Sequence, residues 1–261
     1  MSTPFKFTVP AYVGQVFAVV DHEPDERVRY RLAEAEDAFK HVAKGEFRST
    51  NVKSDAPPEV PRFELKDGKK HLLIAQSRMQ LGLTFDISMD ADKAYEVARK
   101  LAQSFFEAAA VFRKLDTRTV VGLVVHVNQP SDAPREVLAE AVANQLYKGP
   151  AIGKMASFEM RIGFETDDGI LKVIALNPYE LRKIEIKPEF GAKNFIDINM
   201  DKVPISETGL SWVLDVNNKS LAANPSSGQS CEATMQKILN GMDELYATER
   251  HQFLSTEHHI S

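Results

Sequence analysis

Hydrophobic and polar positions alternate along this chain with two different periods, and the period changes mark its elements. In "AYVGQVFAVV" (residues 11–20) a short β-branched run predicts a strand, and the "DHEPDE" that follows, with its proline and clustered carboxylates, predicts a helix start. Val28, Leu32, Ala35, Phe39 and Val42 then recur at helical spacing, with Gly45 as a stop. Residues 49–61, "STNVKSDAPPEVP", carry too many prolines and small polar residues for either period and predict an extended loop. Two strand-like runs in "RFELKDGKKHLLIAQS" are joined across Asp67-Gly68, a dipeptide that tolerates the positive φ of a tight hairpin, and "MQLGLTFDI" continues the pairing.

The next stretch returns to the helical period. Ala94, Val97, Leu101, Phe105, Ala108, Phe112 and Leu115 form one stripe, with Asp90 where a cap is expected. It leads into "TVVGLVVHVNQP" (residues 119–130), a buried-type strand interrupted by His126 and Asn128. A helix opening at Pro134 and stopping at Gly149 follows. Beyond it Phe158, Met160, Ile162 and Phe164 alternate with polar residues up to an Asp168-Gly169 turn and an apolar return strand. "RKIEIKP", "NFIDINM" and "GLSWVLDVNNKS" are further strands, "NPSSGQS" is a loop, and Met235, Ile238, Leu239, Met242, Leu245, Tyr246 and Phe253 stripe a last helix.

This order predicts an α+β fold, mostly antiparallel sheet or sheets with long amphipathic helices. Residues 1–130 form an N-terminal α+β half, 131–154 a connecting helix and linker, and 155–261 a β-rich half with a terminal helix. "GLVVHVNQP" and "GLSWVLDVNNK" both open on Gly-Leu and close on Val-Asn, which leaves open a duplicated strand-and-helix unit.

Composition narrows the class. A chain of 261 residues with 43% hydrophobic content buries a sizeable core, and a net charge of -5 argues against broad attraction to phosphate backbones or anionic lipid. The single cysteine, Cys231, excludes an intramolecular disulfide and suits a reducing compartment. "MSTPFKFTVPAYVG" lacks the features of a secretory signal, and no stretch approaches eighteen uncharged apolar residues, so the expectation is a soluble cytoplasmic protein with no membrane partner.

The chemistry-bearing motifs are few. Neither common phosphate-binding glycine spacing is present, nor a nucleophile elbow, and no motif calls for a cofactor. A two-histidine phosphoesterase needs Ser or Thr two positions after a strand histidine; here His71 is followed by Leu73 and His126 by Asn128. Alternation places His126 and Asn128 on one strand face, where they are catalytic or structural candidates. Asp86, Asp90 and Asp92 lack an EF-hand's glycine and glutamate, and capping explains Asp90. Asp197, Asn199 and Asp201 share a strand face, so Asp197 and Asp201 are metal-ligand candidates if another carboxylate converges. Lys66, Lys69 and Lys70 cluster at a hairpin tip able to track phosphates, without the interleaved aromatics that stack bases. At the start of the last helix, Cys231 lies where the dipole lowers a thiol pKa.

"PRFELKDGKKHLLIAQSRMQLGLTF", then "SFFEAAAVFRKL", "VVGLVVHVN", "WVLDVN" and "MQKILNGMDELYATERHQFL", resemble in order a sporadically distributed family of uncharacterised bacterial proteins, from about residue 11 to 258. The arginine and tyrosine usual before the strand-ending asparagine are here replaced by Val124, Val125 and His126. The resemblance implies an α+β fold in two parts and a bacterial or phage setting; it implies no established activity and supplies no catalytic residues.

The resulting expectation is a non-enzymatic binding or interaction protein, an accessory component of a bacterial or phage defence or toxin-neutralising system, with a protein partner or a second copy of itself. Two alternatives stand beside it. One is a metal- or histidine-assisted enzyme acting on a phosphoester or nucleotide through His126, Asn128, Asp197 and Asp201; the other is nucleic-acid binding through the lysine hairpin.

Overall fold

The two hydrophobic periods sort the chain into a sheet and the helices that cover one side of it. A computed structural model describes residues 7, 10–53, 55–146, 158–183, 203–223 and 230–254. The chain enters along β1 (Tyr12–Asp21), passes a 3₁₀ turn (Glu26–Tyr30) and α1 (Leu32–Phe39), and reaches the short β2 (Arg48–Ser49). A meander of β3 (Phe63–Asp67), β4 (Lys70–Ile74) and β5 (Arg78–Thr84) follows, then the long α2 (Ala91–Phe112). The second pass runs β6 (Val120–Ser131), α3 (Arg135–Leu146), β7 (Met160–Glu165), β8 (Leu171–Arg182), β9 (Ile205–Asn217), α4 (Lys219–Ala223) and α5 (Cys231–Leu254).

These strands make one nine-stranded sheet in the order β2-β3-β4-β5-β1-β6-β9-β8-β7, antiparallel at every pairing. The fold is therefore α+β, built by two passes of one pattern: a central strand, a short helix, a three-strand meander and a long helix. β1 and β6 lie side by side in the middle, and each pass lays its meander outward from its own central strand. By topology the counterpart of β6 is β1. The Gly-Leu and Val-Asn likeness instead links neighbours, since Gly122 of β6 faces Asn217 of β9 and Pro130 faces Gly209.

All the longer helices sit on one face. α2 lies over β1 and β5, and α5 over β6 and β9. The buried side of α2 carries Ala94, Ala98, Ala102 and Ala109 between Phe105, Phe106 and Phe112, and its small residues let the helix approach Val16, Ala18 and Leu81 closely. Each large apolar side chain buried there contributes about 1.5–3 kcal/mol. The stripe is rotated from the one expected: Val97 is 44% exposed, while Tyr95 and Ala98 are buried. Asp90 caps the helix by accepting from the Lys93 backbone N–H at 3.1 Å. Between α2 and α5 the buried rings of Tyr95 and Tyr246 stack at 3.9 Å between centroids, and Asp243 accepts from the Tyr95 hydroxyl at 2.7 Å and pairs with Arg99 at 3.0 Å. Asp92 pairs with Arg250 of α5, so of the three acidic residues near this helix start Asp90 caps α2 and Asp92 ties it to α5.

α3 covers β8 and β9 on the same face and closes a smaller cluster of Ala133, Leu138, Val142, Leu176 and Leu210, with Trp212 touching both clusters.

Two local features differ from expectation, and the expected loop is fastened by a buried side chain. The first helix is split at Arg31, whose backbone leaves the helical region while its guanidinium bonds Glu34, Asp25 and the Phe112 carbonyl and lies 4.5 Å over the Phe112 ring. In the β3–β4 hairpin Asp67 faces Lys70, so the two turn residues are Gly68 and Lys69, with Gly68 at φ +59. The proline-rich loop is ordered by Arg62, 4% exposed, which donates to the carbonyls of Val60, Ala56 and Pro57. "NFIDINM", most of "RKIEIKP" and all but the end of "NPSSGQS" lie outside the described residues. Among the described residues no helix is long and apolar enough to cross a membrane.

Candidate functional site

Among the described residues, the second face of the sheet carries no helix. Val13, Val16, Ala18, Leu123, Val125, Val127, Leu214 and Val216 point toward α2 and α5, so their neighbours in sequence point the other way. Among the described residues, none of the four longer helices lies across that side, and α4 sits at the strand ends, with Leu221 against Gly169.

The centre of this face is largely apolar, with Asp215 and His126 set among its apolar residues. Phe17 faces Val124 across β1 and β6, Val124 faces Asp215, and Asp215 faces Val173. The Phe17 ring lies over Gly82, where an added Cβ would come 3.4 Å from it, and meets the His126 ring edge-on at 5.8 Å. Phe17, Val19, Val124 and Val213 are half-buried: neighbours shield their flanks, and their tops carry no layer among the described residues.

Polar groups gather at one end. Tyr12 faces Asn128, which faces Ser211, which faces Asn177, giving a row of side chains across four strands. Glu207 accepts from the Tyr12 hydroxyl at 2.8 Å and from the Tyr179 hydroxyl at 2.5 Å, and the Asn128 amide donates to the Tyr12 oxygen at 3.2 Å. Burial, with Glu207 beside it, raises both phenols above the ordinary value, so they stay protonated donors. Gly209 is required by close approach: a Cβ there would sit 2.3 Å from the Gln129 carbonyl oxygen and 2.8 Å from the Tyr179 ring.

His126 and Asn128 thus share a face, as alternation requires. Half-buried His126 has its pKa lowered by burial, which favours the neutral ring. Asp197 and Asp201 lie outside the described residues. Among the described residues no group of three or more His, Cys, Asp or Glu side chains is placed to hold a metal ion.

The three lysines are divided. Lys66 is on the open face 3.8 Å from Glu64, Lys69 pairs with Asp86 from the turn, and Lys70 is on the helix face, 3.5 Å from Asp67 and donating to the Val42 carbonyl. Each has a carboxylate at hand, and they do not form one surface. At the start of α5 the expectation for Cys231 is reversed: burial, with Asp116 and Glu232 nearby, pushes the thiol up to about 11, overriding the helix dipole.

Among the described residues, hollows lie elsewhere too. A cleft of about 450 Å³ between α2 and α5 is lined by Phe106, Ala110, Val111, Met235 and Leu239, and one of about 590 Å³ lies beside Phe47, Arg48 and Glu64.

Sequence reasoning missed Tyr12, Tyr179, Glu207 and Gly209. The Gly-Leu punctuation at 209 marked the spot, but pairing across four strands is what brings the phenols to one carboxylate.

By fold and site this is a single antiparallel sheet shielded by helices on one side, with a polar and apolar surface on the other. No protein-family model, curated protein or solved structure matches the chain.

Proposed function

We propose that this chain is a non-enzymatic binding protein that presents to a protein partner the face of its sheet that carries no helix among the described residues. The observation that carries the reading is the apolar centre around Phe17, Val124 and Val213, set beside the donors and acceptors of Asn128, Ser211 and Asn177. A protein surface matches that mixture of apolar area and neutral hydrogen-bonding groups. A phosphate backbone does not, because cations on this face have carboxylates within reach: Arg78 bonds Asp21 at 2.5 and 2.9 Å, and Lys66 lies 3.8 Å from Glu64.

The family resemblance implies a bacterial or phage setting, and within it the partner is sought among proteins of a defence or toxin-neutralising system. Affinity purification from the native host is the test, with Val213→Glu and Val124→Lys as surface variants. The reading expects a stoichiometric partner with wild type and its loss with either variant while the melting temperature holds. Recovery of the chain alone, or a partner retained by both variants, would overturn it.

A further inference from the structure

The geometry points to β7 as a self-pairing edge: two copies of this chain join antiparallel through Met160–Glu165, centred on Gly163, to continue the sheet across a twofold axis. The surface is distinct from the centre of the open face, so this inference stands or falls separately from the proposed function.

β7 is the last strand of the sheet among the described residues. The Thr166 N–H donates to the Ile170 carbonyl at 2.9 Å, which fixes the hydrogen-bond phase of the β7–β8 ladder. In an antiparallel ladder residues alternate between bonding inward and outward, so the backbone groups of Arg161, Gly163 and Glu165 face away from β8. Among the described residues they form a row of unpaired donors and acceptors, on a strand with no proline, lysine or register break to protect the edge. The other end of the sheet is blunted, because β2 is two residues long and runs into the proline loop.

The side chains of β7 complement themselves. With Gly163 opposite Gly163 of the second copy, Arg161 falls opposite Glu165 and Glu165 opposite Arg161, giving two opposite-charge cross-strand pairs on the open face. On the other face Ile162 falls opposite Phe164, twice. These two are exposed at 42% and 53%, although they point to the side that the helices cover elsewhere in the sheet. Arg161 is free to turn to a second copy: it is largely exposed, and its contact with Asp215 is 4.0 Å. The outward groups of Gly163 suit a hydrogen-bonded pair, which puts Ile162 and Phe164 in the closer, non-hydrogen-bonded positions. Because the twofold axis is normal to the sheet, the open faces of both copies lie on the same side. An isologous pairing of this kind closes at two.

A strand pair this short buries less than the roughly 1,200 Å² of a standard interface, so association is concentration-dependent and micromolar or weaker. Sedimentation equilibrium of the full chain over micromolar to high-micromolar concentrations tests it. Wild type is expected to dimerise and no further. Arg161→Glu should weaken the dimer on the order of tenfold, and adding Glu165→Arg should restore it, because the charges are then exchanged rather than opposed. Gly163→Pro should abolish it while leaving the fold intact, since the N–H it removes faces away from β8. Hydrogen exchange supplies a second readout: the Arg161, Gly163 and Glu165 amides should gain protection as concentration rises. A chain monomeric throughout, or a dimer indifferent to Arg161→Glu and Gly163→Pro, would overturn the assignment.

Discussion

The two outer ends of the sheet are built from the same kind of meander and finished in opposite ways. At the β2–β3 end Phe63 and Leu65 lie under Phe39 and Phe47, and the loop beyond is fastened by a buried arginine. At the β7 end Ile162 and Phe164 point to the same side of the sheet and stay exposed, because α3 covers β8 and β9 and goes no further. The difference comes from where the short helix of each pass docks. α1 packs beside α2 and widens the helical layer outward, whereas α3 lies alone over its strands with a small cluster beneath it. The same three-strand meander therefore gives one sealed end and, among the described residues, one open end.

The largest effect that would break this comparison comes from the sealed end. Phe39 is fully buried, with ring centroids 6.3, 5.9 and 6.0 Å from Phe47, Phe105 and Phe112. Phe39→Ala should cost about 3–5 kcal/mol in urea unfolding. Next comes Arg62→Ala, which leaves the carbonyls of Ala56, Pro57 and Val60 without their charged donor; a loss of about 2 kcal/mol is expected, with faster proteolysis in residues 50–61.

A smaller effect compares the passes by pH. Burial lowers the pKa of His22 in the first pass and of His126 in the second, below the ordinary 6.5. The unfolded chain then takes up each proton before the folded chain does, so both groups make stability fall as pH drops through about 6.5. Replacing either by Leu should flatten the slope of melting temperature against pH; an unchanged slope for one would show that its pass does not shield it. The smallest effect belongs to the open end. Phe164→Ser should change monomer stability by no more than about 0.5 kcal/mol, and a loss comparable to that of Phe39→Ala would show that β7 is sealed after all.

Much of the fold was legible in the sequence. The strand runs at β1, β3 to β6 and β9, the Asp90 cap, and the stripes of α2 and α5 follow from local periodicity, because burial on one face imposes period 2 on a strand and about 3.6 on a helix. The face shared by His126 and Asn128 was legible for the same reason. Val97 was misplaced because residues three and four apart are equally spaced candidates for a stripe, and only the position of the sheet decides between them. The thiol of Cys231 was misjudged because its burial is set by residues distant in sequence.

By itself, then, the sequence determined most of the described strands and helices and, for the central strands, which side is apolar, since these depend on spacings of a few residues. Tertiary structure alone decided that the strands form one sheet, that β6 answers to β1 rather than to its look-alike β9, and that Tyr12, Tyr179 and Glu207 meet. It also decided that one edge is left open. Strand order and helix docking are settled by pairing between segments tens to hundreds of residues apart, and no local period records which partner a strand will find.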